Sequence, residues 1–317
     1  MATYAGIVGA PVTPFKADNT VDLETFAKQV NFLIESGVRL IAHPMHIGES
    51  VNLTDAERRE LANVLAATAA GRVPTFVHVS YAGTDLAIDL ARHSVKAGAT
   101  GVVMMAPYHW RSGPRAIVDH FISVVNACGG KLIVYNNPKA TNIELTMDTL
   151  EELMDRVPGF VAIKDATFHM ETFTDICALI ARKGKDIAAY TGIEYLLTSM
   201  PVGGGGCFSA CSEVAPRLTA ELYQACAKAD IPTARELQYK VRRLLKVVMH
   251  NYPATIKYAM ELMGRPVGLT RKPILPPTPE EKEWVRKELA ALRVFEHEPL
   301  GWSAKTSQRA PRSATTA

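Results

Sequence analysis

Phe160-Val161-Ala162-Ile163-Lys164-Asp165 is four apolar residues running into a lysine. A run of this length reads as a strand buried on both faces. A lysine at its end is out of place, because Lys is almost never buried without a partner. Burial disfavours the ammonium and lowers its pKa. The neutral amine is the form that attacks a carbonyl to make a Schiff base. The plain alternative is a strand-end lysine that snorkels to solvent. Which of the two holds depends on where in the fold this strand ends.

Outward from this stretch the same unit repeats. Short apolar runs stand at 7–12, 38–45, 74–79, 101–106, 132–135, 187–191 and 206–209. Between them lie segments with apolar residues at helical spacing, such as Leu23, Phe26, Val30, Leu33 and Ile34. Gly37, Gly71, Gly98, Gly129 and Gly184 close such segments. Thr54 with Glu57 three residues on is a capping box. Apolar rather than alternating strands indicate a parallel sheet. Eight strand–helix units within residues 1–230 predict a TIM (β/α)8 barrel, an α/β fold. An open doubly wound sheet is the alternative, but no Gly-x-Gly-x-x-Gly opens the first helix. Residues 231–298 read as a C-terminal helical extension, broken near Tyr252-Pro253 and Pro273 to Pro279. Residues 299–317 are expected to be a disordered tail.

Composition narrows the function. Hydrophobic residues make up 48%, charged residues 21%, and the formal net charge is +3 without a dense basic run. No nucleic-acid or membrane partner is expected. The five cysteines, Cys128, Cys177, Cys207, Cys211 and Cys226, form no CxxC pair. That pattern, with no signal peptide or spanning segment evident, leads us to expect a reduced, cytoplasmic protein. No cofactor is expected. Val161-Ala162-Ile163-Lys164 matches a kinase strand but lacks the companion motifs. Gly203 to Gly206 lacks the Gly-Lys-Ser/Thr of a phosphate loop.

A TIM barrel carries its site at the C-terminal strand ends. Lys164 is therefore at a catalytic position, and Tyr135 ends the neighbouring strand. A phenol beside an amine can pass protons while a carbinolamine forms and collapses. His43, His46, His78, His109 and His169 also fall at or just past strand ends. They raise the alternative of a metal-dependent enzyme using His46, His78, His109 and Glu49. His43 and His46, three apart, point to opposite faces, which weakens a shared metal.

With these residues in view, the chain resembles the dihydrodipicolinate synthase / N-acetylneuraminate lyase family of Schiff-base aldolases, as a divergent member. The resemblance covers about residues 5 to 295. It rests on Thr13-Pro14-Phe15, Gly48-Glu49-Ser50, Pro107-Tyr108, Tyr135-Asn136-Asn137-Pro138, Ile163-Lys164-Asp165, Thr191-Gly192 and Val214-Ala215-Pro216. It implies a homotetramer or homodimer. It implies Lys164 as the nucleophile toward pyruvate or another 2-oxo acid, and Tyr135 as proton donor and acceptor. Ile47, Gly48, His109, Gly192 and Phe208 fall at its substrate-binding positions.

Three departures stand out. The family's loop after the second strand carries two hydroxyl residues that relay protons, and here they are His46 and Ile47. The second tyrosine after the strand-four proline, which reaches a neighbouring subunit's site, is His109. The arginine that true synthases carry after Tyr-Asn-x-Pro falls at Ala140. A guanidinium there would clamp a carboxylate bidentately, and Lys139 is expected to point the other way. The expectation is a lyase, an aldolase or dehydratase, that joins or cleaves a 2-oxo acid and an aldehyde, with His46 in the proton path. It is not expected to be a true 4-hydroxy-tetrahydrodipicolinate synthase. A non-catalytic relative that binds a small acid is the further alternative.

Overall fold

The computed structural model describes residues 2–304. The strands β1 (Gly6–Gly9), β2 (Leu40–His43), β3 (Thr75–His78), β4 (Gly101–Met104), β5 (Lys131–Asn136), β6 (Phe160–Asp165), β7 (Ala188–Thr191) and β8 (Gly206–Ser209) close a parallel barrel in sequence order. Around it run α1 (Leu23–Glu35), α2 (Asp55–Ala69), α3 (Thr84–Lys96), α4 (Pro114–Cys128), α5 (Pro138–Thr141), α6 (Met147–Arg156), α7 (Met170–Lys183), α8 (Leu196–Ser199) and α9 (Pro216–Ala227). This is a TIM (β/α)8 barrel. The Thr54/Glu57 capping box opens α2, and Gly184, left-handed at φ 61°, closes α7. The strands β1 to β4 end one to three residues sooner than the apolar runs, because those runs continue into buried loops.

Side chains alternate along each strand between two packing layers. Ile133 and Ala162 point into the barrel, while Val134 and Ile163 face the helices. Period two then turns Tyr135 and Lys164 inward. Their alignment depends on an irregularity. Leu132 pairs with Phe160 but Ile133 pairs with Ala162, leaving Val161 as the extra residue. That shift sets Tyr135 beside Lys164. Regular pairing from Leu132 would set it beside Ile163, which faces the helices.

The extension holds α10 (Ile231–Val248), α11 (Ala254–Leu262), α12 (Pro279–Ala291) and α13 (Val294–His297). Its break between α11 and α12 is longer than the prolines alone suggest, spanning 263–278. This segment docks on the barrel instead of continuing a helix. Phe15 N donates to Val267 O at 3.0 Å. Gly268, at φ 72°, lies so close to the Phe15 carbonyl that a side chain would collide with it. Residues 299–304, expected to begin a disordered tail, are instead pinned. Arg265 Nη1 donates to Pro299 O at 2.7 Å and Gly301 O at 3.1 Å, and Trp302 packs edge-on against Phe32. The rest of that expected tail lies outside the described residues. Among the described residues, no helix is long and apolar enough to cross a membrane.

Candidate active site

Lys164, one residue before the end of β6, lines a cavity of about 190 Å³. Its Nζ lies 4.1 Å from the Tyr135 ring centroid and 4.6 Å from that of Phe208. Only 6% of the residue is exposed. Burial among these rings lowers the amine's pKa to about 7. The snorkelling alternative does not hold.

Tyr135 is buried, and desolvation pushes its phenol well above the ordinary tyrosine range. The Asn137 Nδ2 amide donates to the phenolic oxygen at 2.9 Å. The phenol in turn lies 3.3 Å from His46 Nδ1. Burial and the nearby Lys164 hold His46 down to about 4, so the imidazole is neutral and its Nδ1 can accept the phenolic proton. His46 sits on the 3₁₀ turn His46–Gly48 after β2. A short chain Lys164–Tyr135–His46 thus runs along the cavity wall.

The other expected residues separate. Ile47, Gly192 and Phe208 line the cavity. A side chain at Gly192 would be crowded, since a Cβ there would meet Ala166 Cβ at 3.1 Å and Asp165 O at 3.3 Å. Gly48 is buried one residue behind Ile47, and its carbonyl accepts from Thr13 Oγ1 at 2.5 Å. His109 does not reach the cavity of this chain. It is exposed with Trp110 edge-on against it, because its left-handed backbone (φ 76°) turns the loop outward. Lys139 also departs from expectation. The chain after Tyr135 turns into α5 rather than running extended, and the Lys139 ammonium lies 5.8 Å from the centroid of Phe168, a wall residue.

The histidines do not converge. His43 packs on Phe26, outside the barrel, and its Nε2 meets Thr13 Oγ1 at 3.1 Å. His78 Nδ1 donates to Pro44 O at 2.9 Å, which leaves Nε2 to accept from Ser80 Oγ at 2.8 Å. Both of its ring nitrogens are occupied. Glu49 is paired with Lys257 at 2.8 Å. Among the described residues no three His, Cys, Asp or Glu side chains form a group that could hold a metal ion.

Sequence reading missed part of the wall. Tyr252 and Met249, from the turn between α10 and α11, close one side of the cavity, with Phe168 and Ile193 beside them. Nothing periodic marks Tyr252; its one signal was a tyrosine before proline in a helix break.

Barrel, buried amine and adjacent phenol define a class, a (β/α)8 lyase of the Schiff-base type. Comparison with known proteins gives the family. The chain belongs to the dihydrodipicolinate synthetase family, whose model matches residues 3–292. It is similar to the 4-hydroxy-tetrahydrodipicolinate synthase of Bartonella tribocorum, with 31% identity over 90% of this chain and 97% of that one. The crystal structure of dihydrodipicolinate synthase from Aquifex aeolicus matches at 28% identity and a TM-score of 0.86, covering 94% of this chain and 99% of that one. The Acinetobacter baumannii synthase, solved as a complex with pyruvate, matches at 27% identity and a TM-score of 0.84, covering 92% and 100%.

Proposed function

We propose that Lys164 adds to the keto carbon of pyruvate or a related 2-oxo acid, and that the adduct is used to make or break a bond to an aldehyde-derived fragment. The amine attacks C2 to give a carbinolamine, which loses water to form the imine. Tyr135 gives and takes the protons of those steps. His46 passes them onward in place of the hydroxyl pair that the family carries. The observation that carries this reading is a neutral-capable amine packed on the ring of the phenol from the adjacent strand.

We propose further that the aldehyde is not aspartate semialdehyde, although the relatives are named as 4-hydroxy-tetrahydrodipicolinate synthases. Ala140 stands where an arginine would clamp the second carboxylate, and Lys139 offers a point charge rather than a fork. Phe168, Ile193, Phe208 and Met249 give the cavity an apolar wall that suits an apolar or aromatic substituent.

Borohydride reduction in the presence of pyruvate tests the first claim. The expected product is a covalent adduct on Lys164, located by peptide mass and absent in Lys164→Ala. A panel of 2-oxo acids that leaves Lys164 unmodified sinks it. Turnover of aspartate semialdehyde with pyruvate, compared with cleavage of arylidene pyruvates and sugar-derived 2-oxo acids, tests the second. Efficient synthase activity, or no preference for the aromatic acids, removes it.

A further inference from the structure

His78 is a buried imidazole at the end of β3 that the proposed chemistry leaves unused. Alternation along the strand fixes where it points. Phe76 packs inside the barrel and Val77 against the helices, so period two turns His78 inward. There its ring stands edge-on to that of Tyr135, with centroids 6.2 Å apart. It stands behind the cavity wall rather than in it. An imidazole buried here has a desolvation cost that an apolar side chain would not have.

Its hydrogen bonds run in one direction. Pro44 O can only accept, so His78 Nδ1 carries the proton across 2.9 Å. Nε2 is then an acceptor, and Ser80 Oγ donates to it at 2.8 Å. Ser80 Oγ in turn accepts from Met105 N at 2.8 Å. A backbone amide just past β4 is thus linked through two side chains to a carbonyl just past β2. The registered strand pairs stop short of that carbonyl, at His43 with Val77 and at His78 with Val103. Burial first, and the Arg58 guanidinium second, hold His78 well below the ordinary histidine range. The ring stays neutral and both bonds keep their direction.

Pro44 is two residues from His46. The turn that carries His46 is therefore tied to the same imidazole on which Tyr135 packs. One side chain touches both halves of the proton path. The contact between those halves, Tyr135 oxygen to His46 Nδ1, is 3.3 Å, the long end of hydrogen-bond range. Misplacement by about 1 Å can cost roughly 10²-fold in rate. A small slip of the turn is enough to open this contact.

We propose that His78 is a positioning residue, whose hydrogen bond to Pro44 O sets the His46 turn at proton-transfer distance from Tyr135. This rests on the reading of Lys164 as a Schiff-base lysine served by Tyr135 and His46. His78 acts through His46 and touches no substrate.

The test times the appearance of the borohydride-trappable pyruvate adduct after rapid mixing, across pH. Two variants split the imidazole between them. His78→Asn places an amide N–H where Nδ1 stands and keeps the bond to Pro44 O. His78→Gln places its polar end where Nε2 stands, keeps Ser80 and loses Pro44. His78→Gln is expected to slow adduct formation about tenfold, the effect of one hydrogen bond, and His78→Asn less than about threefold. Half-saturating pyruvate and the pH midpoint near 7 are expected to stay where they are in the native protein. In a chain that already carries His46→Ala, adding His78→Gln is expected to cost nothing further, because both act on one contact. Equal rates for the two variants overturn the proposal. So does a His78→Gln loss that adds in full to that of His46→Ala. A midpoint moved toward the ordinary lysine range, the sign of water reaching the amine, makes His78 a packing residue and also overturns it. Nitrogen NMR of the native protein tests the bond without any variant: a His78 ring protonated at Nε2 instead of Nδ1 overturns the proposal. No trappable adduct in the native protein removes the Schiff base itself.

Discussion

An amine with a pKa near 7 is about half neutral at neutral pH. An ordinary lysine at 10.5 is neutral in roughly one molecule in 3,000 there. Burial of the amine thus makes most of the difference between an inert ammonium and a nucleophile. The sign follows from the lowered pKa. Below it Lys164 is charged and unreactive; above it the amine is free. The rate of adduct formation with pyruvate is therefore expected to rise through about pH 7 and level off above pH 8. A rate still climbing at pH 10, as for an exposed lysine, would contradict the burial argument. His46 gives a second prediction at this scale. Held near pH 4 and neutral, it can only relay a proton, not store one. His46→Ala is expected to slow the rate of pyruvate trapping and turnover alike, by roughly 10²-fold, the usual worth of a positioned proton-transfer group, with the melting temperature unchanged. An unchanged trapping rate would take His46 out of the proton path, and a loss that comes with a lower melting temperature would make its role structural.

The loop that carries His46 is held from the far side of the chain. Glu49, left-handed at φ 56°, follows the His46–Gly48 turn, and α11 reaches it with Lys257. Both side chains are almost wholly enclosed, at 0% and 2% exposure. Arg271 N adds a hydrogen bond to Glu49 Oε2 at 2.9 Å. Removing one partner of a buried pair leaves an uncompensated charge. Lys257→Met is expected to destabilise the protein by about 3–5 kcal/mol in denaturant unfolding, and Lys257→Met with Glu49→Gln by clearly less. A single variant as stable as the native chain would show that the pair is not what holds the loop. This linkage also marks what the sequence could and could not disclose. Strands and helices were legible because apolar period and caps are local. Lys164 and Tyr135 were legible as strand ends. Their alignment was not, because it depends on the extra residue Val161, which looks like any other apolar position. That His109 stands outside this chain's own cavity was not legible either, because a strand-end address says nothing about which way the next loop turns. Tyr252 and Lys257 were missed because their neighbours lie some 100 to 200 residues away, and no local pattern encodes that distance.

The barrel and its extension share one interior. Val241, Leu244, Leu245, Val248, Ile256, Ala259 and Met260 of α10 and α11 belong to the same buried cluster as Val8, Ala42 and Ile133 inside the barrel. The extension supplies a wall of the cavity through Met249 and Tyr252, and the tie to the His46 loop through Lys257. A chain ending at residue 230 would expose that apolar surface to water at about 25 cal/mol per Å² and open the cavity beside Lys164. Solvent reaching the amine would restore its ordinary pKa and remove the nucleophile at neutral pH. The shortened chain is therefore expected to aggregate or unfold, and to show no pyruvate adduct at pH 7. In the intact protein, fluorescence of the extension's Trp284 and adduct formation at Lys164 should be lost together, in one transition on denaturant titration. Two transitions, with trapping surviving the first, would mean that the barrel completes its site alone and that the extension only rests on it.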